Sequence, residues 1–431
     1  MMHKKLVALA SAGVLFAALA VTPVTASAQD VNYNLPTAEE IQKRKDSRRN
    51  EAISERIGRR VMAAVELYEA GDANGAITEL KDLSIRSDLD QAFVNRLLGS
   101  LYAGNDQLDE ALPLVKAAAD ADILGWNDQA TALKLTADLS LQLEQYNQAI
   151  QYYGKWLQFS GEADPDVFLR IANAYYEMKQ FDKIVQPADL AIRNYEEPNK
   201  NPYVLKVASY YERKMYSDAV KVLEAGLKVI PDEKNWWNQL GMMYLLEEKI
   251  DKALQTLEVA YLAGYFDKES QYKALIQLYG NNEIPYKAAS LMEKHLNNGD
   301  LEQTARLWQN AAQNYDQARE YKRAAALYGK AAELEETNAD KATQYRRQGT
   351  SYLRAEMYTQ AAAAYSKALD LGIEERGAVY MSLTEAYFYQ NKFSQALASV
   401  KEAQKFENER RSARSWEQYI RSKASNRGVK L

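Results

Sequence analysis

Apolar and small residues recur along this chain at the spacing of one helix face, and the helices they predict come in pairs. In the middle of the chain, one such face runs from Trp237 to Tyr244, and a second runs from Ala253 to Ala260. Intervals of three and four residues place each set on one side of a helix. The short stretch between the two faces allows only a tight turn, so the pattern predicts two antiparallel helices.

This paired pattern repeats with a period close to 35 residues. When Gly241 is taken as the eighth position of a unit, ten units fit the chain, with successive starts 34 to 38 residues apart. The twentieth position is Ala in nine units and Ile184 in the fourth, and the eleventh is Tyr in eight units, with Leu67 and Ser140 as exceptions. Composition alone does not give such columns, so one structural unit is repeated. The units start at residues 57, 92, 130, 165, 200, 234, 269, 305, 342 and 377.

The two columns have a physical reason. A small side chain at positions eight and twenty permits the close crossing of two helices, and the Tyr fills the gap between them with its hydroxyl toward water. One helix pair cannot bury its own apolar face, so pairs stack until terminal elements cover the ends. Most of the 30 tyrosines are therefore expected to serve packing.

The segment from Trp237 to Tyr244 resembles the signature of the tetratricopeptide repeat, W-x2-L-G-x2-Y, and Leu257 alone replaces an expected aromatic residue in the second helix. The resemblance implies an all-α fold, a right-handed α-solenoid of about ten helix pairs over residues 57–410. It also implies a surface that holds other proteins rather than an enzyme. In this family, positions 2, 5, 9, 12 and 13 of each first helix line the concave groove that binds peptides.

Carrying those positions over gives a candidate peptide groove in units four to six. Tyr176 and Tyr211 each follow a packing tyrosine and precede a glutamate, so the second Tyr and the Glu are expected to point inward. Tyr offers large contact area at little entropy loss, Asn can bond a peptide backbone, and Glu favours a basic ligand. An extended, basic, proline-containing segment would fit. The candidate groove residues are Asn173, Tyr176, Glu177, Tyr211, Glu212, Asn238 and Met242.

Units eight and nine offer a second, anion-preferring stretch. Arg306, Arg346 and Arg354 fall at inward positions there. The Lys, Asn and Arg clamp by which some family members hold a terminal carboxylate is not matched in units four to six.

The start of the chain has the pattern of a secretory signal. Lys4 and Lys5 precede an apolar run, and Ala26-Ser27-Ala28 forms an A-x-A cleavage site, so cleavage is expected after Ala28 and the address is expected to be the periplasm. The apolar run is too short for a retained membrane span. We therefore divide the chain into a signal peptide (1–28), a flexible leader with a charged helix (29–56), the repeats (57–410) and a capping helix with a basic tail (411–431).

Charge is concentrated at the two ends. Residues 41–60 carry net +5 and residues 401–431 also carry net +5, whereas residues 61–400 carry net −14. Thr37 and Glu40 predict a capping box that opens a helix running to Arg60, and Trp416, Tyr419 and Ile420 predict the apolar stripe of a final helix. The basic ends are either solvated helix faces or sites for an acidic partner or anionic lipid. Secretion and an acidic body argue against nucleic acid.

The composition leaves little room for catalysis. Cysteine is absent, which excludes disulfides, thiolate metal sites and a lipid-anchored N-terminal cysteine. After signal removal one histidine remains, His295, and we expect it to be packed between units at a helix end. No metalloprotease, nucleophile-elbow or phosphate-loop motif is present. We therefore predict no enzyme activity, no cofactor and no metal.

Three units depart from the repeat pattern. Pro113 and Pro187 fall inside second helices and predict local bends. Unit three has Ser140 and Trp156 where Tyr and a small residue are expected, so it is a candidate hinge.

A narrower resemblance suggests a biological setting. The signal, the arginine-rich leader around Arg48 to Arg56 and the repeats resemble Gram-negative periplasmic proteins that accompany TonB/ExbB/ExbD energy-transduction systems. That resemblance implies an accessory role in active uptake, with a TonB- or ExbD-type segment as partner. Two alternatives stay open: an envelope-assembly adaptor of the Tol–Pal and peptidoglycan type, and a cell-wall-processing enzyme. Self-association through the ends is also open.

Overall fold

The computed structural model describes residues 30–48 and 51–431, and all regular secondary structure in that part is helical. These residues form two compact units, divided between Arg213 and Lys214. The all-α repeat class predicted from the sequence is confirmed. The predicted secretory signal and its cleavage site after Ala28 lie outside the described residues.

The helices follow one another in the predicted order, and nine of the ten predicted repeats each coincide with one helix pair, whereas the two helices of the fifth repeat belong to different compact units. In the first compact unit, called the first unit from here on, the helical elements are α1 (Ala38–Ser47), α2 (Glu55–Glu69), α3 (Ala73–Lys81), α4 (Asp88–Gly104), α5 (Leu108–Ala121), α6 (Trp126–Gln142), α7 (Tyr146–Ser160), α8 (Pro165–Glu177), a 3-10 turn (Phe181–Lys183), α9 (Val185–Asn194) and α10 (Lys200–Glu212). In the second they are α11 (Tyr216–Val229), α12 (Lys234–Leu246), α13 (Ile250–Leu262), α14 (Glu269–Asn281), α15 (Pro285–Asn298), α16 (Ala305–Gln317), α17 (Tyr321–Leu334), α18 (Asn338–Arg354), α19 (Tyr358–Asp370), α20 (Arg376–Tyr389), α21 (Phe393–Ala403) and α22 (Arg410–Asn426).

The twentieth position of every repeat is completely buried. All nine alanines there, and Ile184, have a relative exposure of 0%. The eighth position packs against the second helix of its repeat: a Cβ on Gly349 would lie 2.7 Å from the Tyr365 ring, and one on Gly241 would lie 2.6 Å from Leu257. In these two repeats the glycine is therefore a steric requirement of the helix crossing.

The turn inside each pair depends on one residue in the left-handed region. This is the fifteenth residue of each repeat, and its φ lies between +57° and +86°. It is a glycine, Gly71, in the first repeat and a non-glycine residue in the other nine. In repeats one to four and six to ten, the N–H of the sixteenth residue donates to the carbonyl of the eleventh, as Gln107 does to Tyr102 at 2.9 Å, which closes a Schellman-type end on the first helix. The non-glycine residues are Asp106, Glu144, Lys179, Lys214, Glu248, Glu283, Arg319, Glu356 and Asn391.

Substitutions at this turn position should change stability through the backbone alone. Gly71→Ala is expected to lower the free energy of unfolding by about 1 kcal/mol, although a Cβ there would meet no heavy atom within 4 Å. Glu283→Gly is expected to raise it by up to about 1 kcal/mol, because Glu283 sits at φ 58°. Urea denaturation of both variants measures the two changes in the free energy of unfolding. If both variants changed stability in the same direction, the backbone explanation would be contradicted.

The tyrosine at the eleventh position links neighbouring repeats in the second unit. The Tyr315 hydroxyl donates to Glu293 of the preceding repeat at 2.7 Å, and the Tyr244 hydroxyl donates to Glu224, which also belongs to the preceding repeat. Burial raises the pKa of both hydroxyls, and the hydrogen bonds to the carboxylates raise it further. The sequence predicted a hydroxyl at a wet edge, whereas the structure gives it a carboxylate partner on the preceding repeat.

Residues 30–36 lie extended against α7 and α8. The Gln158 side-chain amide donates to the carbonyls of Asn32 and Asn34 at 2.9 and 3.0 Å, and Asp30 pairs with Lys183 at 2.8 Å. The Tyr33 ring lies 6.3 Å from the Phe168 ring. The sequence predicted a flexible leader here. The structure differs because Val31, Tyr33 and Leu35 find an apolar surface on the first unit.

The charged helix after this segment is shorter than predicted. Thr37 and Glu40 do form the expected capping box, but α1 ends at Ser47 instead of continuing to Arg60. Arg48 leaves the helix to donate to the Leu124 carbonyl at 2.6 Å and to pair with Asp122 at 3.0 Å. We call residues 30–48 the strap, because their contacts reach from α6 to the 3-10 turn after α8.

The helices around the two prolines differ in continuity, while the predicted bends stay a prediction. At Pro187 the second helix is interrupted, since the chain forms a 3-10 turn over Phe181–Lys183 and α9 begins only at Val185. The proline ring would clash with the Lys183 carbonyl of a regular helix. At Pro113, by contrast, α5 continues without interruption from Leu108 to Ala121.

Repeat three is packed like its neighbours. Ser140 is fully buried and donates to the Thr136 carbonyl at 2.6 Å, and Trp156 is buried in the same apolar core that runs from Ile57 to Leu205. The division between compact units lies at Arg213 instead. At the other end, α22 is the predicted final helix: Ile420 is fully buried, and Trp416 and Tyr419 both lie on Phe388, with Tyr419 remaining 46% exposed.

Candidate functional site

The candidate groove residues of the first unit lie on α8 and α10. On α8, Asn173 and Glu177 are exposed and Tyr176 is half-buried, while the packing tyrosine Tyr175 is 2% exposed. The helix period explains the difference, because residues 173, 176 and 177 share one face and Tyr175 lies on another. The predicted division between packing and presented tyrosines is therefore what α8 shows.

On α10 the corresponding side chains are Tyr211, which is 45% exposed, and Glu212, which is exposed. Burial raises the pKa of Tyr176, and the negative charges of Glu212 and Glu177 raise it further. The Tyr176 ring also packs edge-on against Phe181 at 6.0 Å. The structure thus brings Tyr176 and the two carboxylates together as one acidic, aromatic surface of the first unit.

The remaining two candidate residues belong to the second unit. Met242 on α12 is 47% exposed, and Leu246, one turn further, is 45% exposed. Asn238 is half-buried, and its Oδ1 is buried without a hydrogen-bond partner among the described residues. These side chains form a mainly apolar face of α12, which differs in chemistry from the surface on α8 and α10.

The three arginines proposed as an anion-preferring stretch lie in different surroundings. Arg306 is exposed on α16, and the Arg354 guanidinium lies 5.8 Å from the centroid of the Tyr321 ring. Arg346 on α18 is half-buried, and its Nε is buried without a partner within the described part of the chain. The anion-preferring stretch stays a prediction.

His295 is held at the end of α15, as expected for a packed histidine. It is 4% exposed, its Nδ1 is 2.7 Å from Asp300 Oδ2, and its Nε2 is 3.0 Å from the Tyr261 hydroxyl. Lys294 donates to the same hydroxyl at 2.8 Å. A neutral ring that donates from Nδ1 and accepts at Nε2 satisfies all these groups. The cluster fastens repeat seven to repeat six and to the turn before repeat eight.

A cleft that the sequence reading did not single out lies between α14 and α16. It has a volume of about 310 Å³, and its floor includes the buried Ile276, Met292 and Leu301. Amide side chains occupy positions nine and thirteen of both repeats, which is the signal that could have identified it. The amides that line the cleft are Gln277, Asn281, Asn310, Gln313, Asn314 and Gln317.

Residues 30–48 and 51–431 contain no helix that is both long and apolar enough to cross a bilayer. In the same ranges, no three His, Asp or Glu side chains come together in a group that could hold a metal ion.

Comparison with known proteins relates part of the chain to a family. The profile of the tetratricopeptide repeat family matches residues 346–409. No curated protein matches the sequence.

Several solved structures are similar at low identity. The Naa15/Naa10 complex bound to HypK-THB is 16% identical with a TM-score of 0.44, over 90% of this chain and 61% of that one, so the chain spans about three fifths of its length. A tetratricopeptide repeat protein from Parabacteroides merdae is 13% identical with a TM-score of 0.34, over 77% and 99% of the two chains. YrrB, a repeat protein with an unusual peptide-binding site, is 20% identical with a TM-score of 0.33, over 39% and 84%.

The matched segment begins within α18, includes α19 to α21, and ends at Glu409, immediately before α22. The helix pairs before it have the same period, the same buried twentieth position and the same left-handed turn residue. The chain is therefore an all-α helical repeat protein whose residues 346–409 match the tetratricopeptide repeat family.

Proposed function

We propose that this chain is a periplasmic scaffold that binds an extended, basic segment of a partner protein, as an accessory component of a TonB-dependent uptake system. The observation that carries the proposal is the surface of α8 and α10. There, the 45%-exposed ring of Tyr211 and the half-buried ring of Tyr176 accompany the exposed carboxylates of Glu177 and Glu212.

The chemistry of this surface favours a basic ligand. Glu177 and Glu212 both act on the Tyr176 hydroxyl, so two negative charges lie within a short distance of one aromatic ring. A Lys or Arg side chain would gain from the carboxylates and from the ring faces. Exposed aromatic side chains also accept proline rings of an extended segment. TonB-type proteins have periplasmic segments that contain lysine and proline, the residue types that this surface would accept. This match supports the choice of partner.

The periplasmic address rests on the sequence. Lysines, an apolar run and the A-x-A site at residues 26–28 are the pattern of an exported protein. Exposure of the precursor to signal peptidase in membranes, followed by mass spectrometry of the N-terminus, tests this part separately. A mature chain beginning at Gln29 is the expected product, and an unprocessed chain would contradict export.

The partner is tested by photo-crosslinking in cells. A photoreactive amino acid is placed at position 176 or 211, and as a control at Gln151, which is exposed on α7. Capture of a TonB- or ExbD-type protein from positions 176 and 211, but not 151, supports the proposal. Capture of Tol or cell-wall components instead would assign the chain to envelope assembly. Equal capture from all three positions would remove the site from α8 and α10.

Removing the acidic, aromatic surface should abolish binding without unfolding the protein. The triple variant Tyr176→Ala, Tyr211→Ala and Glu212→Ala is expected to bind the captured partner at least about 100-fold more weakly than the parent chain. The reason is that central aromatic contacts contribute about 1 to 2 kcal/mol or more each to the binding free energy. Isothermal titration calorimetry measures the change, and circular dichroism monitors folding. An unchanged affinity in a folded triple variant would refute the site.

A further inference from the structure

The last helix carries a charge opposite to that of the rest of the second unit. Residues 410–431, which are α22 and the five residues after it, have seven basic side chains and one acidic side chain, net +6. Residues 214–409 have 24 basic and 28 acidic side chains, net −4. The basic residues of the end are Arg410, Arg411, Arg414, Arg421, Lys423, Arg427 and Lys430. A strongly basic helix therefore follows an acidic set of repeats.

The fold uses only one side of α22. Its apolar residues Ala413, Ile420 and Ala424 are fully buried in one cluster with side chains of α21. The opposite side of the helix is exposed and carries no carboxylate. Between its cations it presents small or amide side chains, which are Ser415, Gln418, Ser422 and Ser425.

The one acidic residue of α22 does not offset these charges. Glu417 is half-buried, and it is bound by Arg421 at 2.8 Å and by the Gln404 side-chain amide at 2.7 Å. Its negative charge is thus already compensated at the inner edge of the helix. The other cations have no carboxylate of α22 to pair with.

Most of the exposed cations are available to a ligand. The side chains of Arg411, Arg414 and Lys430 form no hydrogen bond or ion pair with another described residue. Lys423 is exposed, and its Nζ lies 5.6 Å from the centroid of the Tyr419 ring. Arg410 and Arg414 are four residues apart, a spacing at which like charges repel on a helix. An anionic ligand would relieve this repulsion.

The placement of the cations favours a broad anionic surface. At 100° per residue, Arg414 and Lys423 point about 180° apart around the helix, and Arg411 and Lys423 lie about 18 Å apart along it. A polypeptide that follows one stripe of α22 would reach only some of them. Lipid headgroups move independently of one another, so a bilayer surface can offer an anion to each side chain.

The composition of the helix agrees with lipid as the ligand. Clusters of about four to eight Lys or Arg side chains on one helix are typical of binding to anionic lipid headgroups. Tyr419, which is 46% exposed, adds the kind of aromatic ring that is enriched where a membrane meets water. The small serines leave room for headgroups between the long basic side chains.

We propose that the exposed face of α22 binds the surface of a bilayer that contains anionic phospholipids. The helix would lie on the bilayer, because its apolar side is already packed on α21. This proposal goes beyond the proposed function, since it concerns the second unit and a lipid ligand. It does not depend on which protein the surface on α8 and α10 binds.

The test measures co-sedimentation with sucrose-loaded vesicles. The protein is residues 29–431, which include every residue that the structure describes and leave out the apolar run of the predicted signal, since that run would bind lipid by itself. The vesicles are phosphatidylcholine alone, or phosphatidylcholine with 30 mol% phosphatidylglycerol. Binding is expected to be at least about 10-fold tighter to the anionic vesicles, and to weaken at least about 10-fold when NaCl is raised from 50 to 300 mM.

Two variants with the same change in net charge locate the binding. In the α22 variant, Arg411, Arg414, Lys423 and Lys430 are all replaced by Gln; in the control, the exposed lysines Lys228, Lys252, Lys268 and Lys322 are replaced by Gln. The α22 variant is expected to bind anionic vesicles at least about 10-fold more weakly than the parent, and the control within about 3-fold of it. Circular dichroism of each variant checks that it is folded.

Three results would overturn the proposal: equal binding to the two kinds of vesicle, parent-like binding by the α22 variant, or an equal loss in the control. A fluorescein-labelled octaglutamate tests the other ligand class. If the parent bound this peptide and not the anionic vesicles, α22 would be a site for an acidic polypeptide and the lipid proposal would fall. Photo-crosslinking from positions 176 and 211 reports on the proposed function separately, so either proposal can fail while the other stands.

Discussion

Replacing Gly99 by Ala is expected to lower the free energy of unfolding by about 2 to 3 kcal/mol, although Ala is the better helix former. Gly99 lies inside α4 at the eighth position of repeat two, where α4 crosses α5. A Cβ there would contact the Val115 side chain and would lie 3.1 Å from the backbone oxygen of Ala111. The backbone of α5 cannot move without separating the helix pair, so the added methyl group forces the two helices apart.

Gly58→Ala is the matched control. Gly58 also lies in a helix, α2, but a Cβ there would meet only Ile53 Cδ1 at 4.0 Å. This substitution is expected to be neutral or to stabilise by up to about 1 kcal/mol, because only the helix propensity changes. Denaturant unfolding followed by circular dichroism measures both. If the two variants shifted stability in the same direction, steric closeness would not be the reason for the small eighth position.

The second large effect is expected from Tyr33→Ala, which should lower the stability of the first unit by about 2 kcal/mol. Tyr33 is the aromatic anchor of the strap, and its ring fits against Phe168 and near Tyr175. Burial raises the pKa of its hydroxyl, and the neighbouring Tyr175 adds to the rise. Loss of the ring removes the main apolar contact of residues 30–36 and uncovers the surface of α7 and α8.

Hydrogen exchange resolves where the loss occurs. Amides of α7 and α8 are expected to exchange faster in Tyr33→Ala, whereas those of α19 and α20 in the second unit keep the rates of the parent chain. Stability in repeat proteins is a sum of local terms, so the effect should stay near the strap. Tyr33→Phe keeps the ring and is expected to match the parent within about 0.5 kcal/mol. Parent-like exchange in Tyr33→Ala would show that the strap adds nothing to α7 and α8.

The repeat could be predicted in detail because it follows from local rules. The twentieth position is completely buried and is Ala in nine of the ten repeats, as at Ala253, and a column so nearly uniform is visible in the sequence itself. The turn at position fifteen left no such column, because Glu, Lys, Arg, Asp and Asn all occupy it at positive φ. Many side chains adopt this left-handed backbone conformation at a cost of about 1 kcal/mol. The requirement for it therefore does not restrict which residue type occupies the position, and the sequence does not show it.

The candidate site was partly predictable. The helix period separated Tyr175 from Tyr176 correctly, since side-chain direction on a helix depends only on sequence position. The cleft between α14 and α16 was missed, because no single amide distinguishes itself in the sequence. The cleft is concave because it lies between two helices that are not consecutive in the chain and because Gly280 has no side chain to fill it.

The sequence by itself determined the helices, their pairing and the side chains each helix presents, because these depend on intervals of three, four and about 35 residues. The tertiary structure alone decided the course of the strap. Nothing in the local sequence shows that Tyr33 lies on Phe168 or that Arg48 leaves its helix for the carbonyl of Leu124, 76 positions away. Those contacts depend on surfaces that exist only after the repeats have stacked, and a linear pattern contains no information about which stretch of chain will cover them.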